Sequence, residues 1–155
     1  MSLISFKHVG IKTFEVNKAN VVENSSFPIG IKTPLEFGNE TFLKMNTDIG
    51  NQMSDNLRNL ILTNWGDRVA VYRYGANLQE LVTEFSNQEN FDSEAMLRIN
   101  TAVSQWMPFV TLVGFSSQPI YENNRYTGII KIIVEYSVSQ IQIFNKQIHV
   151  TLYVI

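Results

Sequence analysis

Leu57-Arg58-Asn59-Leu60-Ile61-Leu62-Thr63-Asn64-Trp65-Gly66-Asp67-Arg68 is followed, after five intervening residues, by Tyr74-Gly75-Ala76-Asn77-Leu78. The first half closes an amphipathic run. From Thr47 to Thr63 the apolar residues Ile49, Met53, Leu57, Leu60 and Ile61 recur at spacings of three and four, with Asn51, Gln52, Asp55, Arg58 and Asn59 between them. That period predicts a helix with one buried stripe. Trp65-Gly66-Asp67-Arg68 breaks it, Val69 to Tyr72 reads as a short extended stretch, and Tyr74-Gly75 is a second break, where glycine supplies a positive φ at little steric cost.

Downstream, Asn77 stands where an N-cap belongs, with Glu80 three residues on and Leu78, Leu81, Val82 and Phe85 on the inner side of a short helix. Residues 86 to 90 read as a loop. A third helix is expected from Ser93 to Trp106, capped by Asp92, stapled by Phe91 and Met96, and striped by Met96, Ile99, Val103 and Trp106. Pro108 stops it, because proline has no N–H to continue the ladder.

The last third alternates. Val110 to Tyr121 leads to a turn at Glu122-Asn123-Asn124-Arg125. The next strand then puts Ile130, Ile132, Val134, Tyr136 and Val138 on one face, and Lys131, Glu135 and Ser137 on the other. A further turn is expected at Asn145-Lys146. In the final strand Ile148, Val150, Leu152 and Val154 share a face, and Tyr153 and Ile155 add apolar area to the other. Such a strand needs cover or a neighbour's strand along its edge, since a free apolar edge invites aggregation. Helices before strands predict an α+β fold, about three helices on a small, mainly antiparallel sheet.

Upstream, Phe27-Pro28-Ile29-Gly30-Ile31-Lys32-Thr33-Pro34 reads as extended, two prolines and a glycine disfavouring helix. Residues 1–26 read as an N-terminal arm whose apolar members, Ile4, Phe6, Val9, Ile11 and Phe14, lack an evident place in the core. Residues 27–155 read as one domain, and no internal repeat is visible.

Composition narrows the function. The 155 residues are 45% hydrophobic and 12% aromatic, which excludes a disordered chain. Only 17% are charged, below the usual value of about 25%. Twelve basic against 14 acidic residues create no field to draw nucleic acid or a membrane. Sixteen Asn and eight Gln supply polarity in place of charge. Depletion of charge is common at permanent interfaces, and an Asn- and Ile-rich genome would give the same bias. The start lacks the apolar core of a signal peptide and no run approaches a membrane span, so the chain reads as soluble and unprocessed.

Catalytic signatures are scarce. There is no cysteine, and the two histidines, His8 and His149, lie near opposite ends without a carboxylate cluster to complete a metal site. No nucleophile-elbow, dinucleotide or P-loop pattern occurs. Glu84, Glu89, Asp92 and Glu94 crowd one loop, and glycoside hydrolysis needs only a spaced carboxylate pair. Acids at a helix start are equally explained by the helix dipole.

Taken together, the Leu57–Arg68 and Tyr74–Leu78 stretches resemble the contractile-tail baseplate wedge family. That family includes the lysozyme-like wedge subunit of myophage baseplates and its counterpart in type VI secretion baseplates. The shared pattern is an amphipathic helix ending in Leu-Thr, a Gly-acidic-Arg turn, then Tyr-Gly-x-x-Leu entering a second helix. It extends from about Gly30 to Val138. The resemblance implies family-motif positions Gly66, Asp67, Arg68, Tyr74 and Gly75, Asp67 balancing the charge of Arg68. Where the family carries Glu-Pro-Arg after the third helix, this chain has Met107-Pro108-Phe109. Only the proline remains, so Met107 and Phe109 are expected against apolar groups.

The resemblance further implies a structural, non-enzymatic subunit of a bacteriophage tail baseplate, in the wedge or inner ring, located in the virion after assembly in the host cytoplasm. It would bind other baseplate wedge subunits and the tail sheath protein, help to initiate the sheath, and occur in several copies of a six-fold assembly, without cofactor, metal, nucleic acid or membrane. Ile148, Val150, Leu152 and Val154 mark the edge where strand addition would occur. The alternative is a polysaccharide-cleaving, lysozyme-like enzyme, and a third reading is an unrelated interaction domain.

Overall fold

The computed structural model describes residues 27–38, 42–83, 88–122 and 125–153. The expected arm over residues 1–26, the Asn123-Asn124 turn, Glu84, Phe85, Val154 and Ile155 lie outside the described residues. The fold is α+β: β1 (Gly30–Ile31), β2 (Met45–Asn46), α1 (Ile49–Leu62), α2 (Leu78–Thr83), α3 (Gln88–Trp106), β3 (Thr111–Glu122), β4 (Arg125–Val138), a 3-10 turn at Ser139–Ile141, and β5 (Ile143–Tyr153).

Strand β4 is the spine of a three-stranded antiparallel sheet, ordered β3-β4-β5. Its alternation decides which face is buried: Ile130, Ile132, Val134, Tyr136 and Val138 are all at most 1% exposed. Opposite them in register, Val134 pairs with Phe115 and Ile148, and Ile132 with Ser117 and Val150. The three helices supply the other half of this core through Leu57, Leu60, Ile61, Leu78, Val82, Ala95, Ile99 and Val103. The opposite face of β5 is open, with Gln147, His149, Thr151 and Tyr153 exposed. Among the described residues, the final strand is therefore covered on one side only.

Helix α1 begins as the sequence asks. Asp48 has extended backbone, and its carboxylate accepts from the Asn51 N–H at 2.8 Å, satisfying one of the amides a helix start leaves unpaired. Its buried face departs from expectation. Ile49 is 46% exposed, whereas Ser54 and Asp55 are buried. Ser54 is shared between the Gly50 carbonyl and the Tyr136 hydroxyl. Asp55 accepts from the Thr33 N–H, Asn46 Nδ2 and Arg58 Nη1, which ties the short β1–β2 pair to the helix. A buried carboxylate with three donors is a satisfied one.

Five further expectations need correction. Helix α3 starts at Gln88, so the loop expected over 86–90 ends earlier and Asp92 is an interior residue that accepts from the Ser117 hydroxyl instead of capping. Its buried stripe is Phe91, Ala95, Ile99, Ala102 and Val103, while Met96 is 52% exposed. Asn77 has φ +52°, outside N-cap geometry; its amide donates to Glu80, and the Gln79 N–H is taken by Asn64 Oδ1. Asn145-Lys146 lies within β5. The chain reverses at the 3-10 turn and Gln142, and Asn145, at φ +52°, forms a bulge where Ser137 Oγ takes its N–H.

Candidate functional site

The segment from Thr63 to Asn77 runs between α1 and α2, and it forms consecutive turns. The extended stretch expected at Val69–Tyr72 is absent: the Gly66 N–H reaches back to the Tyr72 carbonyl, and Ala70 and Gly66 both have positive φ. What fixes the segment is the end of α1. The last carbonyls of a helix lack helical partners, and here Leu60 O accepts from Ala76 N and Thr63 O from Asn77 N. Gly75 makes this possible. Its φ is +110°, and a Cβ there would collide with the Thr63 carbonyl, lying 2.7 Å from its carbon. Glycine is required on both counts.

Side chains stitch the loop further. Trp65 Nε1 donates to Gly75 O at 3.2 Å and Trp65 N to Asn77 Oδ1. Asp67 does not balance Arg68 as expected; its carboxylate accepts from the Asn64 N–H at 2.8 Å, closing a local turn. The Arg68 guanidinium lies 3.9 Å over the Tyr74 ring, and that ring is 5.2 Å from Trp106. Cation, phenol and indole thus stack from solvent toward the core. The structure brings Gly66, Asp67, Arg68, Tyr74 and Gly75 into one loop. Along its surface Val69, Tyr72 and Trp65 stand exposed, Val69 almost completely.

Met107-Pro108-Phe109 sits at the other end of the stack. Trp106 is the last residue of α3, the Met107 N–H still bonds to Val103 O, and Met107 is in the core at 6% exposure. Phe109 is partly exposed at 37%. The two positions that are charged in the resembled motif therefore differ: one is buried among apolar groups, and the other lies at the surface.

The carboxylates do not assemble into an acid pair among the described residues. Asp92 is engaged by Ser117. Glu94 and Glu80 are both held by Arg98, at 3.1 and 2.8 Å, and the guanidinium also donates to Asn77 O. Burial alone would lower the Arg98 pKa, but hydrogen bonds and charge from Glu80 and Glu94 outweigh it and raise it. Among the described residues no cluster of three or more His, Asp or Glu is placed to hold a metal ion. No helix there is long and apolar enough to cross a membrane.

Along β5, Ile148, Val150 and Leu152 point into the core at 2 to 5% exposure. They hold the strand in place, and any added strand would meet its backbone edge, not these side chains. Near the chain end Gln79 Nε2 donates to Tyr153 O at 2.7 Å.

Two features escaped the sequence. One is the Asp55 anchor, hidden because a lone acid at a helical spacing looks solvated. The other is a row of exposed apolar residues on the N-terminal segment, with Phe27, Leu35, Phe37 and Phe42 66 to 84% exposed. Its only signal was aromatic density.

No family model and no curated protein matches the chain. Solved structures do. A protein of the six-fold symmetrised baseplate of the anti-feeding prophage superposes with a TM-score of 0.57 at 16% identity, covering 70% of this chain and 83% of that one. A protein of Geobacter sulfurreducens, provisionally described as a tail lysozyme, gives 0.57 at 18% identity over 72% and 96%. A chain of the postcontracted pyocin R2 baseplate gives 0.47 at 12% identity over 67% and 97%. At these identities the likeness is one of fold.

Proposed function

We propose that this chain is a structural subunit of a contractile-tail baseplate, placed in the wedge or inner ring, that binds neighbouring wedge proteins and helps to start the tail sheath. The observation that carries the reading is the fold shared with the anti-feeding prophage baseplate protein over 70% of this chain and 83% of that one. Two local features support it. Of the candidate acids, the two whose side chains are described, Asp92 and Glu94, are bound to Ser117 and Arg98, and apolar side chains stand exposed on the N-terminal segment and on the loop after α1.

In this reading the backbone edge of β5 receives a strand from the sheath protein, since main-chain pairing supplies affinity without charge. Ile148, Val150 and Leu152 fix the register of that edge from behind. Met107 and Phe109 replace a charged contact by apolar ones.

The test is incorporation. Tagged chain expressed with its neighbouring tail genes should co-purify with wedge proteins in stoichiometric amount and be present in assembled tails. Tails that assemble and contract without it would refute the proposal. The second reading, cleavage of a polysaccharide, is favoured by the likeness to the Geobacter protein. Zymography on purified peptidoglycan separates the two; clearing that disappears when Asp92 and Glu94 are changed to amides would establish the enzyme.

A further inference from the structure

Between the loop after α1 and the outer face of α3 lies a groove of about 380 Å³. One wall is helical, running from Glu94 to Gln105, so it is roughly 16 Å long at about 1.5 Å rise per residue. Leu97 projects from it at 60% exposure, and Trp65, 47% exposed, forms the other wall. The floor is Ala76 and Ala102, small and buried, which lets another main chain approach closely.

We infer that this groove binds an amphipathic helix of a neighbouring subunit, with apolar residues against Trp65 and Leu97 and an acidic residue against Arg73. This rests on the baseplate reading and names the kind of element that this face takes.

The choice of a helix follows from the polar atoms of the groove. Gly75 O is taken by Trp65 Nε1, the Ala76 N–H by Leu60 O, and the Thr101 hydroxyl by Leu97 O. An extended peptide would find no run of backbone groups there to pair with, only scattered side chains such as Gln105, and would leave most of its buried amides unsatisfied. A helix arrives with its backbone already paired and presents only side chains. Charge selects the rest. Arg98 is already taken up by Glu94 and Glu80, whereas Arg73 is exposed on the groove wall with no carboxylate within ion-pair distance among the described residues. An acidic residue, or the negative end of the incoming helix, complements it.

The test uses assembled tails. A cryo-EM map should show a helix of another subunit in the groove, touching Trp65 and Leu97. Leu97→Asp and Arg73→Glu, both on exposed side chains, should leave the thermal midpoint of the isolated chain unchanged while lowering incorporation about ten-fold or more. A groove filled by solvent or by a strand, or full incorporation of both variants, would overturn the inference and leave the baseplate reading standing. A tail that lacks the chain altogether would overturn both.

Discussion

The loop after α1 and the segment before it are both irregular, yet they are built in opposite ways. From Thr63 to Asn77 nearly every turn is closed by a named bond: Gly66 to Tyr72, Tyr74 to Val71, Ala76 to Leu60, Trp65 to Gly75. Among the described residues from Phe27 to Asn46, a two-residue ladder is held to α1 by the carboxylate of Asp55, with single bonds from Arg58 and to Gln52 beside it. The first region is anchored to the ends of two helices, although residues 65–73 between the anchors are exposed. The second exposes Phe27, Phe37 and Phe42, with the two latter rings packed edge to face at 5.5 Å. Irregular backbone is rigid where it satisfies helix ends. Exposed apolar side chains are common to both, Trp65, Val69 and Tyr72 standing on the first, so the difference lies in how the backbone is tied down.

The sharpest way to break this contrast is Gly75→Ala. Both the positive φ and the clash with the Thr63 carbonyl oppose a methyl group, and a loss of about 3 to 4 kcal/mol is expected in urea unfolding. A loss below about 1 kcal/mol would mean that the loop is looser than its bonds imply.

Met107→Glu comes next, since it buries a charge beneath the same stack at a site 6% exposed. About 3 kcal/mol should be lost. Phe109→Arg, at a half-open site, should cost less than about 1 kcal/mol by the same measurement. Equal effects would contradict the different burial of the two positions.

Asp55→Ala tests the other region. Removing the carboxylate takes the acceptor from the Thr33 N–H and one of two acceptors each from Asn46 and Arg58, which keep Gln52 Oε1 and Thr33 O, costing about 2 kcal/mol. Amide exchange should quicken over residues 29–46 while residues 63–77 keep their protection. Joint loss of protection would show one cooperative unit instead of two regions.

Arg68→Ala should cost only about 0.5 to 1 kcal/mol, the worth of an exposed cation over a ring, and Arg68→Lys should recover part of it. The smallest effect concerns pH. Hydrogen bonds from Lys44 and then Lys32, with their charges, hold the Glu36 carboxyl below its usual range. A lowered folded-state pKa stabilises above the unfolded value, and that contribution is lost as pH falls through the lowered one. Acid titration followed by NMR should show Glu36 protonating after ordinary glutamates. The exposed pair should also weaken with salt.

Much of this architecture was legible. The alternation in β4 named its buried face residue by residue, and the period of three and four located α1 with its two breaks. Expectations failed where a residue's role depended on what lay opposite. Ala95 and Ala102 turn α3 inward through small side chains that carry little hydrophobic signal, which leaves Met96 outside. Asp92 looks like a cap until Ser117 of β3 arrives beside it. Asn145 has the left-handed backbone of a turn, but β4 pairs past it and makes a bulge. The candidate surface divides in the same way. Gly66, Arg68, Tyr74 and Gly75 were visible as a motif, whereas the groove between Trp65 and Leu97 was not.

By itself, the sequence determined the elements: a period of two or of 3.6 records which side of a strand or helix avoids water, and glycine marks where the backbone must turn left-handed. Only the tertiary structure decided the partners. Asp55 became an anchor instead of a solvated acid, Arg98 captured Glu80 and Glu94, and Arg68 lay over Tyr74 while Asp67 turned away. Hydrogen bonds and ion pairs act over about 3 Å between residues far apart in the chain, and local periodicity contains no information on which of them will meet.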